Sequence, residues 1–95
     1  MRDKLKSRAI FELGQIYSTR GAHELLTKSE IINAIERHVS GDRGDICPED
    51  AAENEFAIDK YLRILSVYHR EDGTKFWIIT EADRSATTIL LPDEY

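Results

Sequence analysis

The sequence predicts a small α+β domain in which two or three short helices pack on one face of a C-terminal three-stranded antiparallel meander. Three observations support this prediction: a helix-starting motif at Thr27, a change of apolar period to two after Arg63, and a hairpin signal at Asp72-Gly73. The chain has 95 residues, enough to bury one core but not two. We therefore expect a single domain over residues 9–95, preceded by a flexible basic N-terminus over residues 1–8.

The first structured segment is expected between Ala9 and Thr19, where apolar residues occur at both strand and helix spacing. Gly14 interrupts this segment and turn-forming residues follow it, which favours a short extended stretch that ends in a turn. The meander could therefore carry an additional N-terminal strand. The residues from Ala22 to Leu26 then predict one short helical turn before the main helix.

The best-defined helix begins after Thr27, because a hydroxyl at this position and Glu30 three residues later form the pattern of a capping box. Behind this motif, apolar residues recur at helical spacing, and Gly41 supplies the expected end of the helix. The recurring apolar residues are Ile31, Ile32, Ile35 and Val39.

A further helix is expected to begin at Pro48, since proline suits the first helical position and acidic residues follow it. Ala52 and Phe56, with Tyr61 or Leu62 further along, are predicted to form its buried side. Its outward side is acidic and is either a solvated surface or a strip that imitates nucleic-acid phosphate for a basic partner. The acidic residues are Glu49, Asp50, Glu53, Glu55 and Asp59.

The C-terminal part of the chain predicts the meander. A two-residue turn at Asp72-Gly73 would place Tyr68 opposite Trp77. After a short turn at Arg84-Ser85, the third strand is expected from Thr87 to Leu91. In this register one face forms the core under the helices, and its residues are Leu65, Val67, Phe76, Ile78, Ile89 and Leu91.

The opposite face of this sheet is too apolar to be left entirely in water. Either the N-terminal segment covers it, or it is an interface to a partner or to a second copy. In the second case Tyr68 and Trp77 would be the anchors, because aromatic residues dominate interface energetics. The residues predicted on this face are Ile64, Ser66, Tyr68, Trp77, Ile79, Glu81 and Leu90.

Composition and charge restrict the function classes. The net charge is −5, with 18 acidic and 13 basic residues, which disfavours direct nucleic-acid binding and favours a basic protein partner. The single cysteine, Cys47, cannot form an internal disulfide, and no apolar run is long enough to span a membrane. The N-terminus also lacks an apolar signal region, so we expect a cytoplasmic protein.

Patterns that would predict chemistry are weak. The three histidines and Cys47 lack the spacing of metal ligands, and nothing orients His38 and Cys47 as a base and a nucleophile. The enzymatic alternative rests on Glu81, Asp83 and Arg84 at the turn after the second strand, although such groups more often stabilise a turn. We therefore expect no enzyme, no cofactor and no metal.

Two sequence blocks carry a family resemblance. The first is His38-Val39-Ser40-Gly41-Asp42, and the second runs from Trp77 to Ser85 as WIITEADRS and continues from Thr87 to Pro92 as TTILLP. On these residues the chain resembles a family of small bacterial proteins of unknown function carried by plasmids, phages and integrated elements. Some members bear a restriction-subunit label. The resemblance covers residues 13–95 and implies a mobile-element setting without an established chemistry.

The family pattern has tryptophan after Gly41-Asp42, where this chain has Arg43, a bidentate donor suited to carboxylate or phosphate. The leading hypothesis is a non-enzymatic mobile-element protein that binds and modulates or inhibits a prokaryotic protein complex, such as a nucleic-acid defence or restriction system. An alternative is a nucleic-acid regulator that uses the basic N-terminus with Arg20, Lys75 and Arg84. The predicted partner-binding residues are Asp42, Arg43, Asp45, Glu49, Asp50, Glu53, Glu55, Tyr68 and Trp77.

Overall fold

The computed structural model describes residues 10–46 and 48–95, apart from the side chains of Pro48, Asp50, Ala51, Asn54, Glu55 and Asp59. The predicted basic N-terminus and Cys47 lie outside the described residues. The fold class is α+β, as predicted. In chain order the elements are β1 (Gln15–Ser18), α1 (Arg20–Leu25), α2 (Lys28–Val39), α3 (Pro48–Lys60), β2 (Ile64–His69), β3 (Lys75–Thr80) and β4 (Ala86–Leu90), followed by a 3₁₀ turn (Pro92–Glu94).

The sheet has four strands in the order β1-β4-β3-β2. β2, β3 and β4 form the predicted antiparallel meander. β1 adds the N-terminal strand parallel to β4, with Gln15 beside Ala86 and Ser18 beside Ile89. The helices between β1 and β2 provide the long connection that a parallel pair requires. The sheet is therefore mixed, and its first and last strands are neighbours.

The β2–β3 hairpin has a three-residue loop and not the predicted two-residue turn. Arg70 N donates to Thr74 O at 2.8 Å, which closes the loop over residues 71–73. Gly73 takes the left-handed conformation, at φ +90°, that ends such loops. Tyr68 consequently pairs with Phe76, one residue earlier than predicted.

A shift of one residue turns every side chain of a strand to the other face, so the predicted faces of β2 are exchanged. Ile64, Ser66 and Tyr68 are buried on the core face. Leu65 and Val67 lie half-buried on the opposite face, contrary to the prediction. β3 and β4 keep the core residues that were predicted for them, which include Phe76, Ile78 and Ile89.

α1 and α2 cover the core face of the sheet. The Thr27 hydroxyl accepts a hydrogen bond from Glu30 N while the Glu30 carboxylate accepts one from Thr27 N, so the predicted capping box is confirmed. Ile32, part of the predicted apolar repeat of α2, is exposed. No helix in the described part of the chain is long and apolar enough to cross a membrane. The two helices and the link between them contribute Ala22, Leu26, Ala34 and Ile35 to the core.

Among the described residues, the N-terminal segment does not cover the outer face of the sheet, which is opposite α1 and α2. β1 extends the edge of the sheet beside β4 and does not cross this face. The C-terminal turn contributes cover instead, since the ring centres of Tyr95 and Trp77 are 5.5 Å apart. Ile79 and Leu90 are buried on this face. Because Tyr68 lies on the core face, Tyr68 and Trp77 cannot anchor one interface, and that prediction is wrong.

Candidate protein-binding site

α3 turns a different side towards the sheet from the one predicted. Ala57 is buried, whereas Phe56 is 57% exposed and Leu62, just beyond the helix, is 47% exposed. Ala52 and Tyr61 are exposed as well. The small side chain of Ala57 lets α3 lie close to its neighbours, where a phenylalanine would hold it further away. The apolar residues predicted to bury this helix are therefore partly on the surface.

These exposed residues form one wall of a groove, and the start of β2 forms the other wall. The volume of this α3–β2 groove is about 590 Å³. Binding sites for small molecules and anchor side chains commonly span roughly 300–1,000 Å³. The groove is lined by Ala52, Glu53, Phe56, Ala57, Leu62, Arg63 and Leu65.

Negative charge lies along the α3 wall of the groove. Glu53 lines the groove, and Glu49 is exposed one helical turn earlier on the same side of α3. The sequence of α3 contains five acidic residues against a single basic one, Lys60. On the β2 wall, Arg63 is paired with Glu81 at 3.3 Å. The groove therefore suits a ligand that combines an apolar group with positive charge.

Arg84 fixes the C-terminal end of α3 and with it the shape of the groove. Its guanidinium group donates to Ala57 O at 3.0 Å and to Leu62 O at 2.8 Å. Two carbonyl groups of the β3–β4 turn, those of Glu81 and Ala82, also accept hydrogen bonds from it. Carbonyl groups at a helix C-terminus carry partial negative charge, so a buried cation is stabilised there.

The three residues of the enzymatic hypothesis make different contacts. Arg84 is buried among carbonyl groups, whereas Glu81 is paired with Arg63. Asp83 accepts a hydrogen bond from Ser85 N at 3.0 Å, and hydrogen bonds from Ser85 lower the pKa of Asp83. The donors of Arg84 are bonded to backbone carbonyl groups and are not presented at the surface. Arg84 is thus held by hydrogen bonds within the chain, and with Asp83 and Tyr61 it lines a cavity of about 210 Å³.

The loop from Asp42 to Asp45 runs along the outer edge of β2. Asp45 N donates to Val67 O at 2.7 Å, and the Asp45 carboxylate lies 2.5 Å from His69 Nδ1. Arg37 Nε donates to the Asp42 carboxylate at 2.8 Å, and this hydrogen bond lowers the pKa of Asp42. Both carboxylates that were predicted to bind a partner are therefore engaged within the chain.

Arg43 and Tyr68 are buried, although the sequence predicted both as contact residues. Arg43 donates to His38 O, and its guanidinium carbon lies 5.5 Å from the ring centre of Phe11. A planar guanidinium group packs well on an aromatic ring, which accounts for its burial here. Tyr68 is 1% exposed, its hydroxyl donates to Asp42 O, and burial raises its pKa to about 12. Neither side chain is on the surface, where the sequence predicted a contact.

Two of the predicted contact residues, Glu49 and Glu53, remain beside the groove. The side chains of Asp50 and Glu55 lie outside the described part of the structure. Trp77 is half-buried on the outer face. The sequence did not predict that Phe56 and Leu62 are exposed, and it did not predict that Arg84 anchors the end of α3. The one available signal was the position of Leu62 directly beyond the helix end, between Tyr61 and a charged residue.

A cluster of polar side chains around His38 lies in the core. His38 contacts Ser66 Oγ through Nδ1 at 2.6 Å and Thr80 Oγ1 through Nε2 at 2.8 Å. Thr80 Oγ1 lies 2.8 Å from Thr87 Oγ1, whose hydroxyl donates to Leu13 O at 2.7 Å. Because each hydroxyl has one proton, Thr80 must donate to Thr87, and Nε2–H of His38 must donate to Thr80. Ser66 then donates to Nδ1 of His38. Every hydrogen bond in the cluster therefore runs in the same direction, from Ser66 towards the carbonyl group of Leu13.

This cluster is closed to substrates. A histidine beside a serine hydroxyl is the arrangement of a base and a nucleophile, but His38 and Ser66 are both fully buried. Burial also lowers the pKa of His38 to about 3, so the imidazole is neutral. The cluster joins α2, β2, β3, β4 and the N-terminal segment, and its role is structural.

Comparisons with protein-family models, with curated proteins and with solved structures found no match to this chain. Among the side chains that the structure describes, no group of three or more from histidine, cysteine, aspartate or glutamate is placed to hold a metal ion. What the chain can bind is therefore inferred from the geometry and charge of the α3–β2 groove.

Proposed function

We propose that this protein binds another protein through the α3–β2 groove and acts by that contact, without catalysing a reaction. The partner presents a large apolar side chain flanked by lysine or arginine. The observation that carries the proposal is the joint exposure of Phe56 and Leu62, two large apolar side chains that border one groove. Exposed apolar surface gathered in this way is typical of interaction sites.

Covering these side chains gives the contact its affinity. Complete burial of a phenylalanine or leucine side chain contributes about 1.5–3 kcal/mol relative to full exposure. About half of each side chain is already covered, so docking on Phe56 and Leu62 contributes about 1.5–3 kcal/mol in total. That gain corresponds to a factor of about 10–100 in affinity. An anchor from the partner that fills the groove adds its own burial to this.

The acidic wall selects the chemistry of the partner. Glu53 lies inside the groove and Glu49 beside it, on a chain whose net charge is −5. Opposite charge on the partner raises the association rate and suppresses binding of acidic surfaces. Binding should therefore weaken as salt is raised, because exposed charges are screened.

The family resemblance suggests the biological setting, a prokaryotic complex that handles nucleic acid, such as a defence or restriction system. Surfaces that bind nucleic acid are basic, because they neutralise phosphate. A protein with an acidic, apolar groove could modulate or inhibit such a complex by covering part of that surface. This setting is part of the proposal, and its support is the resemblance together with the charge of α3.

The proposal is tested by affinity purification of the tagged protein from its native host. Four chains are compared: the wild type, Phe56→Lys and Glu53→Lys in the groove, and Ile32→Lys on α2. Ile32 is the control position and is 48% exposed. We expect one protein to be retained by the wild type and by Ile32→Lys and to be lost with Phe56→Lys. Glu53→Lys should weaken its retention at low salt more than at high salt.

Three results would overturn the proposal. The first is equal retention by the wild type and by Phe56→Lys, which would place the contact elsewhere on the surface. The second is a preparation without any retained protein after crosslinking. The third is recovery of nucleic acid in place of protein, which would favour the regulator alternative.

A further inference from the structure

The two edge strands of the sheet differ in whether another segment is hydrogen-bonded to their outer side. At the β2 edge, Val67 N donates to Arg43 O at 3.0 Å and Asp45 N donates to Val67 O at 2.7 Å. The loop over residues 43–45 therefore covers that edge. At the other edge, β1 has no strand or bridge on its outer side among the described residues. All four residues of Gln15–Ser18 are exposed.

β1 directs backbone hydrogen-bonding groups outwards at alternate residues. Thr19 N donates to Ile89 O at 2.9 Å, so Thr19 and every second residue before it are bonded to β4. The N–H and C=O groups of Ile16 and Ser18 therefore point away from β4. Edge strands that stay single usually carry charges, proline or a bulge, and β1 has none of these. It exposes the apolar side chains of Ile16 and Tyr17 instead.

We propose that β1 pairs antiparallel with β1 of a second copy of this chain, which joins two sheets into one of eight strands. With Tyr17 opposite Tyr17 of the second copy, the outward groups of Ile16 in each copy meet those of Ser18 in the other. This register forms about four hydrogen bonds between the copies. The two tyrosines become a directly opposed pair, and aromatic pairs stabilise neighbouring strands.

The charges that flank β1 favour a second copy over an unrelated strand. Glu12 precedes β1 and Arg20 follows it; both side chains are exposed, and Arg20 is also paired with Glu24 of its own chain at 3.2 Å. Antiparallel pairing brings Glu12 of one copy towards Arg20 of the other, and the two-fold symmetry repeats this contact. Parallel pairing would instead bring like charges together. The charges at the two ends of β1 therefore favour the antiparallel orientation over the parallel one.

Pairing through β1 sets the geometry of the two α3–β2 grooves. β2 is at the far edge of each sheet, so the eight-stranded sheet carries one groove near each end. With neighbouring strands about 4.8 Å apart, the two β2 strands lie about 34 Å from each other. A dimer could therefore engage two sites on one partner complex, which strengthens binding without new contacts.

The test is the molar mass in solution by analytical ultracentrifugation, at chain concentrations up to about 1 mM. Ser18→Pro removes an outward N–H group and leaves the bonds to β4 in place. Ile16→Lys places a charge at the edge, and Ile32→Lys is its matched control because both isoleucines are 48% exposed. We expect a reversible wild-type dimer whose dissociation constant rises at least about tenfold in both β1 variants and is unchanged in Ile32→Lys.

A wild-type chain that stays monomeric at the highest concentration overturns the proposal and leaves the β1 edge to an extended segment of another protein. A dimer that resists both β1 variants also overturns it, because the contact then lies elsewhere. Circular dichroism shows whether each variant folds. If Ser18→Pro does not fold, Ile16→Lys alone decides between the outcomes. Phe56→Lys should keep the dimer, so failure here is distinct from failure of the groove.

Discussion

Mild acid should destabilise this protein through His38, which is fully buried in the core. Burial lowers the pKa of His38 from its ordinary value of 6.5 to about 3, so the folded state holds it neutral. In the unfolded chain the same imidazole is in water and takes up a proton below about pH 6.5. Between these two pKa values the unfolded state binds more protons than the folded state, so the free energy of unfolding falls as the pH falls.

The size of this effect follows from the two pKa values of His38. Each pH unit between them lowers the free energy of unfolding by about 1.4 kcal/mol. From pH 7 to pH 5 the expected loss is about 2 kcal/mol. The carboxyl group of Asp42 also has a lowered pKa, but its ordinary value of 3.8 confines its effect to more acidic solutions. The pKa values of Glu30 and Glu94 are lowered from 4.5, so these carboxyl groups begin to contribute only near pH 5, and His38 dominates the interval from pH 7 to pH 5.

The assay is urea unfolding at pH 7 and at pH 5. His38→Gln removes the titrating ring and keeps an N–H donor for Thr80, so its free energy of unfolding should be lower at pH 7 but almost equal at the two pH values. His23→Gln is the matched control, because His23 is exposed on α1 and should leave the wild-type difference unchanged. Imidazole ¹⁵N shifts should show His38 as the neutral Nε2–H tautomer at pH 5.

Two results would refute this reasoning. One is a His38 ring that titrates near pH 6.5 in the folded protein, which would mean that the ring reaches solvent. The other is a loss of stability at pH 5 that persists in His38→Gln, because the protons would then bind elsewhere.

Three further substitutions test contacts outside this cluster. Arg84→Lys should lower the free energy of unfolding by about 2–4 kcal/mol, since one ammonium group cannot bond the carbonyl groups of α3 and of the turn together. A free energy of unfolding, measured in urea, that lies within about 0.5 kcal/mol of the wild-type value would contradict this. Gly44→Ala should unfold at a much lower urea concentration than Gly73→Ala. Both glycines have positive φ, but a Cβ at Gly44 would lie 1.9 Å from Val67 O, whereas nothing lies within 4 Å at Gly73. Thr27→Ala should cost about 1 kcal/mol through loss of the capping box, and an unchanged thermal midpoint would count against that role.

The elements specified by neighbouring residues could be predicted from the sequence. The start of α2 depends on Thr27 and Glu30, which are three residues apart and make the expected reciprocal hydrogen bonds. The meander depends on alternation and on the Asp72-Gly73 signal, and three antiparallel strands formed there. Local chemistry of this kind does not depend on the rest of the chain.

The register of β2 could not be predicted, because both of its faces are apolar. Ile64 and Tyr68 alternate with Leu65 and Val67, so the pattern fits the core in either orientation. An Asp-Gly pair serves two-residue and three-residue loops alike, and the choice is made by the packing of the strands. A single residue in the loop therefore decided that Tyr68 is in the core and that Leu65 and Val67 are on the opposite face.

The orientation of α3 depends on a contact that is distant in sequence. Phe56 and Ala57 are adjacent, and either could have faced the sheet. The hydrogen bond from Arg84 to Ala57 O spans 27 residues and fixes this side of the helix inwards. Periodicity within α3 carries no information about Arg84, so the exposure of Phe56 could not be predicted from the helix alone.

The position of β4 between β1 and β3 has a consequence for how the chain matures during synthesis. β1 is made early, yet its neighbour in the sheet begins at Ala86, near the other end of the sequence. A nascent chain that stops before Ala86 has α1 and α2 but lacks Ile89, which belongs to their common core. Contacts between distant segments form slowly, since a long loop must close first. Until β4 leaves the ribosome, the earlier elements therefore remain exposed to proteases and chaperones, and the sheet closes in one late step.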